Sequence, residues 1–415
     1  MSVGELEGGV VMVGTSNPYT PGAGERPQAL IGRTQQQGLF DALLTGLERQ
    51  RSMRSMLVVG LRGVGKTALL RDCVEKARAR NWVIIDIEVS KREDDAFRRQ
   101  LTFELRGALL GLSPRSRWGK AATRAAAVLQ SFGRGADGSM MAKWDVATAD
   151  GVADSGDLAA DLTQVILAMG DAALENSRGV VIAVDEIQLL SQTQYAALVS
   201  AFHRPFLREL PITLVGAGLP RAGLTEEIER YAKRIFEFPA LGALTDADSR
   251  RVLSEPAAAL GVEFEEAALD AAVELTGRYP YFLQELGGAV WSNKAGNTIS
   301  AQDVAAASAQ YCKALDATFF ARKFGPTTDL DRSYLRAMAE AGSDPQHESD
   351  IARMLDRTVT QCSQTRRSLL DRGLLYEFDS GGVAFTAPHF DRFIIRVMPS
   401  LTVPARAARR RRFDP

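Results

Sequence analysis

The stretch "VVGLRGVGKTALL", residues 58–70, decides the fold of this chain. Residues 60–67 match the spacing GxxxxGK[ST], which places a glycine-rich loop between a buried strand and a helix. The main-chain N–H groups of such a loop face a phosphate, and the positive end of the helix dipole favours the anion. The spacing predicts that Lys66 holds the β and γ oxygens of ATP and that Thr67 offers its hydroxyl to Mg²⁺. The predicted nucleotide contacts in the loop are Gly60, Gly63, Val64, Gly65, Lys66, Thr67 and Ala68.

A second stretch, "VVIAVDEIQLL" at residues 180–190, supplies the acids that such a loop needs. Its apolar run predicts a buried strand that ends at Asp185 and Glu186. An aspartate in this place holds Mg²⁺, and the neighbouring glutamate orients the attacking water by accepting its hydrogen bond. Two acids after a strand also occur as a solvated turn, but the upstream loop favours the functional interpretation. Gln188 is either a helix-start residue or a side chain that reaches the γ-phosphate.

Short apolar runs alternate with helical patterns through the first half of the chain. They predict strands at 56–59, 83–87, 180–184, 212–215 and 235–238. Buried strands that alternate with helices indicate a parallel sheet with helices on both faces, an α/β P-loop NTPase core. After residue 245 the pattern becomes helical. The predicted domains are a nucleotide-contacting strap (1–34), the ATPase core (35–244), a helical lid (245–325), a winged helix (326–400) and a basic disordered tail (401–415), and residues 112–160 form an irregular insert of no assigned function.

Composition limits the partners and the compartment. The chain has 415 residues, with 50 Lys and Arg against 51 Asp and Glu, so any nucleic-acid binding must come from local patches. The three cysteines form no CxxC pair, which suits a reducing compartment. The N-terminus carries Glu5 and Glu7 where a signal peptide is basic, and no apolar run is long enough to span a bilayer. We therefore predict a cytoplasmic protein without membrane contact.

With these residues identified, the chain resembles AAA+/STAND-type ATPases. It is most similar to their archaeal-type and origin-recognition-like branch, in which a winged helix follows the lid, and to a bacterial group of ATP-binding proteins. The resemblance covers nearly the whole chain. Besides the phosphate loop, it is carried by the stretches "NPYTPGAGERPQALIGR" (17–33), "DEIQLL" (185–190), "VGAGLP" (215–220), "YAKRIFEF" (231–238) and "GRYPYFLQELG" (277–287).

The resemblance implies further nucleotide contacts outside the phosphate loop. The strap lies against adenine in such proteins, which makes Leu30, Ile31 and Gly32 candidate base contacts. An acid usually follows the "GR" of the strap, and here the residue is Thr34. The lid motif "GRYP" at 277–280 implies that Pro280 faces the nucleotide and that Arg278 contacts phosphate, unless Arg278 is only a surface residue.

The same resemblance bears on catalysis. The fourth strand often ends in a polar residue that senses the γ-phosphate, but here it ends in Gly216-Ala217-Gly218. We therefore predict slow hydrolysis, closer to a switch than a motor. Arg230 and Arg234 precede the fifth strand, where such proteins present an arginine finger to a neighbour's nucleotide. The alternative for each is an exposed salt bridge, and a finger in trans implies a nucleotide-dependent homo-oligomer.

The predicted winged helix and tail are the candidate DNA contacts. A recognition helix at 359–372 presents Gln361, Gln364, Arg366, Arg367 and Arg372. Residues 331–400 contain 9 arginines, no lysine and 10 acids, whereas dedicated DNA-binding domains are usually basic. The tail adds Arg406 and the arginines at 409–412 against one acid, Asp414. Such a run suits phosphate contact or a solvated terminus.

Two functions therefore compete. The first is an ATP-controlled switch that associates with double-stranded DNA through the winged helix and tail. The second is a STAND-like signalling switch, in which the winged helix makes protein contacts and controls oligomerisation. A processive motor is disfavoured because the fourth strand lacks a polar sensor and the chain lacks an evident pore loop. A small-molecule kinase is disfavoured by the helical lid.

Overall fold

The computed structural model describes residues 17–20, 22, 29–89, 93–133, 146–220, 226–342, 344–377 and 382–404. The chain divides into two compact units. The smaller unit comprises residues 1–32 and 243–319, and the larger unit comprises residues 33–242 and 320–415. The predicted arginine tail and most of the predicted strap lie outside the described residues. The predicted domain boundaries stay predictions.

A parallel sheet forms the centre of the larger unit. Its strands are β1 (Ser55–Gly60), β2 (Val83–Glu88), β3 (Val180–Asp185), β4 (Ile212–Gly218), β5 (Phe236–Glu237) and β6 (Ala240–Leu241). Their order is β2-β3-β4-β1-β5, with β6 also paired to β1, and every pair is parallel. The predicted α/β fold with a parallel sheet is confirmed. Because β4 lies between β1 and β3, the carboxyl ends of these three strands meet at one edge.

Eight helices accompany this sheet within the described part of residues 33–242. They are α1 (Thr34–Glu48), α2 (Lys66–Ala79), α3 (Asp94–Leu112), α4 (Lys120–Phe132), α5 (Leu158–Glu175), α6 (Gln192–Ala201), α7 (His203–Leu207) and α8 (Glu226–Ile235). The prediction of an irregular insert at 112–160 was wrong over α4 and the start of α5. Small residues such as Ala122, Ala125 and Ala126 are fully buried there, so the helices pack closely through alanines. Alanine makes a weak apolar pattern, which hides such a helix in the sequence.

The smaller unit is helical. It contains α9 (Asp246–Ala258), α10 (Glu266–Thr276), α11 (Pro280–Asn293), α12 (Ala301–Leu315) and a short parallel pair, β7 (Glu263–Phe264) with β8 (Thr298–Ile299). A capping box formed by Ser300 and Asp303 begins α12. Tyr19 of the strap donates its hydroxyl to the carbonyl of Leu253 at 2.5 Å. The strap residues 17–20 are therefore fastened to helices of this unit.

Residues 320–404, called here the C-terminal segment, belong to the larger unit. They contain α13 (Ala321–Phe324), α14 (Asp329–Ala341), β9 (Gln346–His347), α15 (Glu348–Met354), α16 (Val359–Asp371), β10 (Leu375–Glu377), β11 (Gly382–Phe385) and α17 (Phe390–Val397). The three strands form an antiparallel sheet in the order β10-β11-β9. Phe320 stacks on Phe393 with ring centroids 5.1 Å apart. Helix α16 agrees with the predicted recognition helix at 359–372, and the winged-helix assignment stays a prediction.

The helices were compared with the requirements for a membrane-spanning segment. None of those in the described ranges combines the length with the apolarity that a bilayer crossing requires.

An ion pair inside the larger unit should make a large contribution to its stability. Asp161 is 1% exposed and accepts hydrogen bonds from Arg98 at 2.8 Å and from the hydroxyl of Ser155 at 2.7 Å. We expect Asp161→Ala to lower the free energy of unfolding by about 3–5 kcal/mol, because Arg98 then keeps a buried charge without its partner. Chemical denaturation followed by circular dichroism measures this loss.

The matched control lies on the same helix. Asp171 pairs with Arg208 at 2.7 Å, but the Arg208 side chain is 53% exposed. Asp171→Ala should therefore cost less than about 1 kcal/mol. Equal losses for the two variants would contradict the assignment of Asp161 as a buried structural charge.

Candidate functional site

The phosphate loop, residues 60–67, needs its glycines for two different reasons. Gly63 and Gly65 adopt φ values of +79° and +89°, in the left-handed region that favours glycine. A Cβ on Gly65 would meet nothing within 4 Å, so its requirement is conformational. A Cβ on Gly60 would instead lie 2.5 Å from the carbonyl oxygen of Leu241, so its requirement is close packing against β6. The loop is thereby held in the curved form that exposes its N–H groups.

Lys66 lies at the start of α2 with its ammonium folded over the loop. Its Nζ donates to the carbonyl oxygens of Gly60 at 2.9 Å and Leu61 at 2.8 Å. Burial lowers the pKa of Lys66 to about 8; the Glu186 carboxylate opposes this shift, and Arg62 adds to it. Lys66 is therefore mostly protonated at neutral pH, but its pKa of about 8 lies only slightly above that pH. A cation held at this loop can neutralise phosphate oxygens.

The predicted magnesium ligands are in direct contact. Thr67 donates its hydroxyl to Oδ2 of Asp185 at 2.7 Å, and Oδ1 of Asp185 accepts the N–H of Glu186 at 2.8 Å. Burial raises the pKa of Asp185 above its usual value, although the hydrogen bond from Thr67 opposes the shift. A partly buried carboxylate beside a hydroxyl suits a divalent cation, because both are oxygen ligands and the cation compensates the carboxylate charge that burial disfavours. These residues therefore fit Mg²⁺.

Glu186 occupies a strained backbone position next to this pair. Its φ of +52° is unusual for a residue with a side chain, and such strain is often found at functional sites. One carboxylate oxygen, Oε2, accepts a hydrogen bond from Nε2 of Gln188. The other, Oε1, lies 3.8 Å from a guanidinium nitrogen of Arg62. The carboxylate is therefore held from both sides at the carboxyl edge of the sheet.

Arg33 supports the phosphate loop from behind, a role that the sequence did not predict. It is 6% exposed and donates from Nη2 to the carbonyls of Val64 at 3.0 Å and Gly242 at 2.7 Å. The "GR" pattern singled out Arg33, but only as the end of the strap. Its role depends on a contact with residue 242, which no local pattern indicates.

Arg62 links the loop to the C-terminal segment, and this contact was also unpredicted. Its N–H donates to the carbonyl of Thr386 at 3.0 Å. A Cβ on Gly373 would lie 3.1 Å from a guanidinium nitrogen of Arg62. Beside this contact lies a groove of about 1230 Å³, lined by the loop after β3 on one side and by α16 and β10 on the other. The variable positions of GxxxxGK[ST] carry no signal for such a contact.

The remaining predicted nucleotide contacts lie in the smaller unit. Leu30, Ile31 and Gly32 are half-buried, and Gly32 has a φ of +74°. Arg278 is exposed with a φ of +66°, and Pro280 is the first residue of α11. The roles of these five residues as adenine or phosphate contacts stay predictions.

The two candidate arginine fingers lie on α8 of the larger unit. Arg230 and Arg234 are both exposed, as a finger that acts on a neighbouring chain requires. Their role likewise stays a prediction.

Two of the three arginines predicted to contact DNA are engaged within the C-terminal segment. Arg366 forms ion pairs with Glu348 at 2.6 Å and with Glu377. Arg372 donates to the carbonyl of Pro326. Arg367 is exposed and lines the groove beside the phosphate loop. The guanidinium with the least involvement in the fold is therefore that of Arg367.

Two protein families match separate parts of the chain. Residues 29–215 match the family described as AAA ATPase domain. Residues 317–394 match a family described as Domain of unknown function (DUF8462). The sequence matches no curated protein.

Several solved structures are similar to this chain, and the first of the three described next shares its fold. The Walker-type ATPase of Pyrococcus abyssi is 16% identical, with a TM-score of 0.55 over 89% of this chain and 97% of that one. Cdc6p of Pyrobaculum aerophilum is 13% identical, with a TM-score of 0.43 over 90% and 95%. The Aeropyrum pernix ORC1 protein in complex with DNA is 15% identical, with a TM-score of 0.44 over 89% and 94%.

The titration of Lys66 predicts a pH dependence of nucleotide binding. Contact with the phosphates needs the protonated Lys66 ammonium. Because the pKa of Lys66 is about 8, the side chain loses its proton above this pH and must take one up when ATP binds. We expect the affinity for ATP to be flat near neutral pH and to fall about tenfold per unit above pH 8. Isothermal titration calorimetry with Mg²⁺ and a non-hydrolysable ATP analogue measures this slope.

Lys76 provides the control because it lies on the same helix and pairs with Asp41 at 2.8 Å, away from the loop. Lys76→Ala should keep the slope, whereas Lys66→Ala should abolish measurable binding. An affinity that stays constant up to about pH 9.5 would show that Lys66 does not titrate in this range.

Proposed function

We propose that this chain is an AAA+ P-loop ATPase that works as a switch, in which the bound nucleotide sets the position of the C-terminal segment. The observation that carries the proposal is the hydrogen bond from the Arg62 N–H of the phosphate loop to Thr386. The phosphate loop, whose amides are proposed to bind phosphate, is thereby also bonded to the C-terminal segment, which is the part proposed to move.

The site residues divide the work of ATP hydrolysis. Lys66 and the loop amides hold the β and γ oxygens, and Thr67 with Asp185 holds Mg²⁺, which neutralises phosphate charge when bound. Glu186 accepts a proton from the attacking water. The water oxygen bonds to the γ-phosphorus as the bond to the β–γ bridging oxygen breaks, which gives ADP and phosphate.

The end of β4 favours slow turnover over a motor. It offers Gly216, Ala217 and Gly218, which have no polar side chain for the γ-phosphate. Slow ATP hydrolysis suits a switch, because the protein then stays in its ATP-bound conformation long enough to act on a partner.

The contact between the loop and the C-terminal segment supplies the coupling. Arg62 reaches Thr386 with its main chain and approaches both Glu186 and Gly373 with its guanidinium. Only ATP carries a γ-phosphate, and this anion would draw the Arg62 guanidinium away from Gly373, which weakens the adjacent main-chain contact with Thr386. The triphosphate form therefore favours release of the segment, and the diphosphate form favours docking.

Released, the C-terminal segment is free to meet a partner. Protein contact and assembly are favoured because α16 already faces protein across the groove and because residues 331–400 carry a slight acidic excess. An exposed Arg234 suits a finger that completes the site of a neighbouring copy in such an assembly. This is the STAND-like alternative among the functions predicted from the sequence.

Double-stranded DNA is the second candidate partner, and one observation favours it. Arg367 is exposed on the predicted recognition helix, next to the exposed Gln364. The basic tail at 406–412 would add phosphate contacts. DNA contact through α16 and docking of α16 against the groove would compete, which ties DNA binding to the nucleotide.

A distance measurement tests the switch. Spin labels at Gln192→Cys and Arg367→Cys place both probes on exposed residues that line the groove. The background carries Cys312→Ser, because Cys312 is partly exposed, and Glu186→Gln, which should slow hydrolysis about 10²–10⁴-fold. We expect one short distance with ADP and a longer, broader distribution with ATP, read by pulsed electron spin resonance.

A label pair at Gln192→Cys and Arg117→Cys is the control, since both residues belong to the sheet-bearing part of the larger unit and should keep their distance. The proposal fails if the Gln192–Arg367 distances are the same with ADP and with ATP.

A titration decides between the two partners. If DNA is the partner, a labelled duplex should bind more tightly with an ATP analogue than with ADP, and its affinity should fall steeply between two salt concentrations. Ending the chain at Ser400 or introducing Arg367→Ala should weaken binding. Arg353→Ala is the control, because the Arg353 side chain is 76% exposed and lies on α15, where it pairs with Asp350, rather than on the predicted recognition helix α16. Weak binding that is equal in both nucleotide states removes DNA as the partner.

A further inference from the structure

The carboxyl edge of the sheet has a gap where β4 ends. In the sheet, β4 lies between β1, which leads into the phosphate loop, and β3, which leads into Asp185 and Glu186. Gly218 is level with Val59 of β1. A side chain at the end of β4 would therefore lie between the loop and the two acids, but the strand ends in glycine.

The side chain of Gln188 fills this gap. A Cβ built on Gly218 would lie 2.7 Å from Oε1 of Gln188 and 2.6 Å from Cγ2 of its neighbour Ile187, so both side chains occupy the space over this glycine. Oε1 also accepts the main-chain N–H of Leu219, the first residue after β4, at 3.0 Å. The amide of Gln188 thus occupies the place that a polar side chain from β4 would otherwise take.

Those contacts fix the direction of the amide. An N–H can only donate, so the atom of Gln188 that meets Leu219 must be the oxygen. The NH₂ group then points the other way, toward Oε2 of Glu186, to which it donates. Gln188 therefore connects the end of β4 to the carboxylate proposed to accept the proton of water.

We propose that Gln188 is a positioning residue for ATP hydrolysis, which holds Glu186 from β4 in place of a side chain on that strand. The inference rests on the proposed hydrolysis at this site and goes further by naming the group that orients its base. Gly218 and Gln188 belong together in this arrangement, because any side chain on Gly218 would displace the amide.

The charges around Glu186 define what Gln188 contributes. Lys66 and Arg62 are cations and Asp185 is an anion beside it, whereas Gln188 is neutral. A neutral donor orients Oε2 without adding charge. Replacing it with a carboxylate keeps the size of the side chain but replaces the donor with a second anion.

Steady-state hydrolysis by the full chain tests the role. Gln188→Ala should lower kcat about 10- to 100-fold, as loss of an orienting partner does, and leave KM for ATP within about threefold. Gln188→Glu should lower kcat at least as far as Gln188→Ala does, because a second anion then stands in place of the donor, and KM for ATP should again stay within about threefold. A residue that only supports the fold would lower nucleotide affinity and turnover together.

Gln302→Ala is the control, since Gln302 is exposed on α12 and has no role in the proposed chemistry. Thermal unfolding of each variant checks the fold, and Gln188→Asn replaces Gln188→Ala in the test if the alanine variant is unstable. An unchanged kcat in the Gln188 variants overturns the inference, as does an equal loss of nucleotide affinity and turnover. If the unsubstituted protein shows no hydrolysis, the premise fails instead.

Discussion

The 2.7 Å hydrogen bond from Thr67 to Asp185 is the contact on which the rest of the site depends. It joins the loop after β1 to the end of β3, two strands that are not neighbours. They meet only because β4 lies between them in parallel register and all three strands end at one edge. That edge then gathers a lysine, a hydroxyl and two carboxylates around the space proposed for the triphosphate.

The same edge of the sheet links the proposed site of hydrolysis to the C-terminal segment, which is proposed to move. Glu186 is held by a neutral amide on one side and by a guanidinium on the other. The amide belongs to Gln188, which is anchored to β4, and the guanidinium belongs to Arg62, which also touches the C-terminal segment. One contact therefore fixes the base to the rigid sheet. The other ties the base to the part of the chain that is proposed to move.

This arrangement accounts for the absence of a polar side chain at the end of β4. Glycine at 218 makes room for the amide of Gln188, and the main-chain N–H of Leu219 holds that amide in place. In the proposed ATPase, a residue that follows β3 thus takes the place of a polar side chain on β4. The structural cost is the left-handed backbone of Glu186, which the surrounding hydrogen bonds must maintain.

The sequence by itself determined the sheet, the phosphate loop and the acids, because local patterns specify them: glycine spacing sets the loop, and an apolar run sets a buried strand. It missed α4, where buried alanines give little periodic contrast. It also missed the roles of Arg33, Arg62 and Gln188. Only the tertiary structure decided these, because each depends on a main-chain group far along the chain: the carbonyls of Gly242 and Thr386 and the N–H of Leu219. A carbonyl has the same chemistry in every residue, so no side-chain pattern marks which one an arginine will meet.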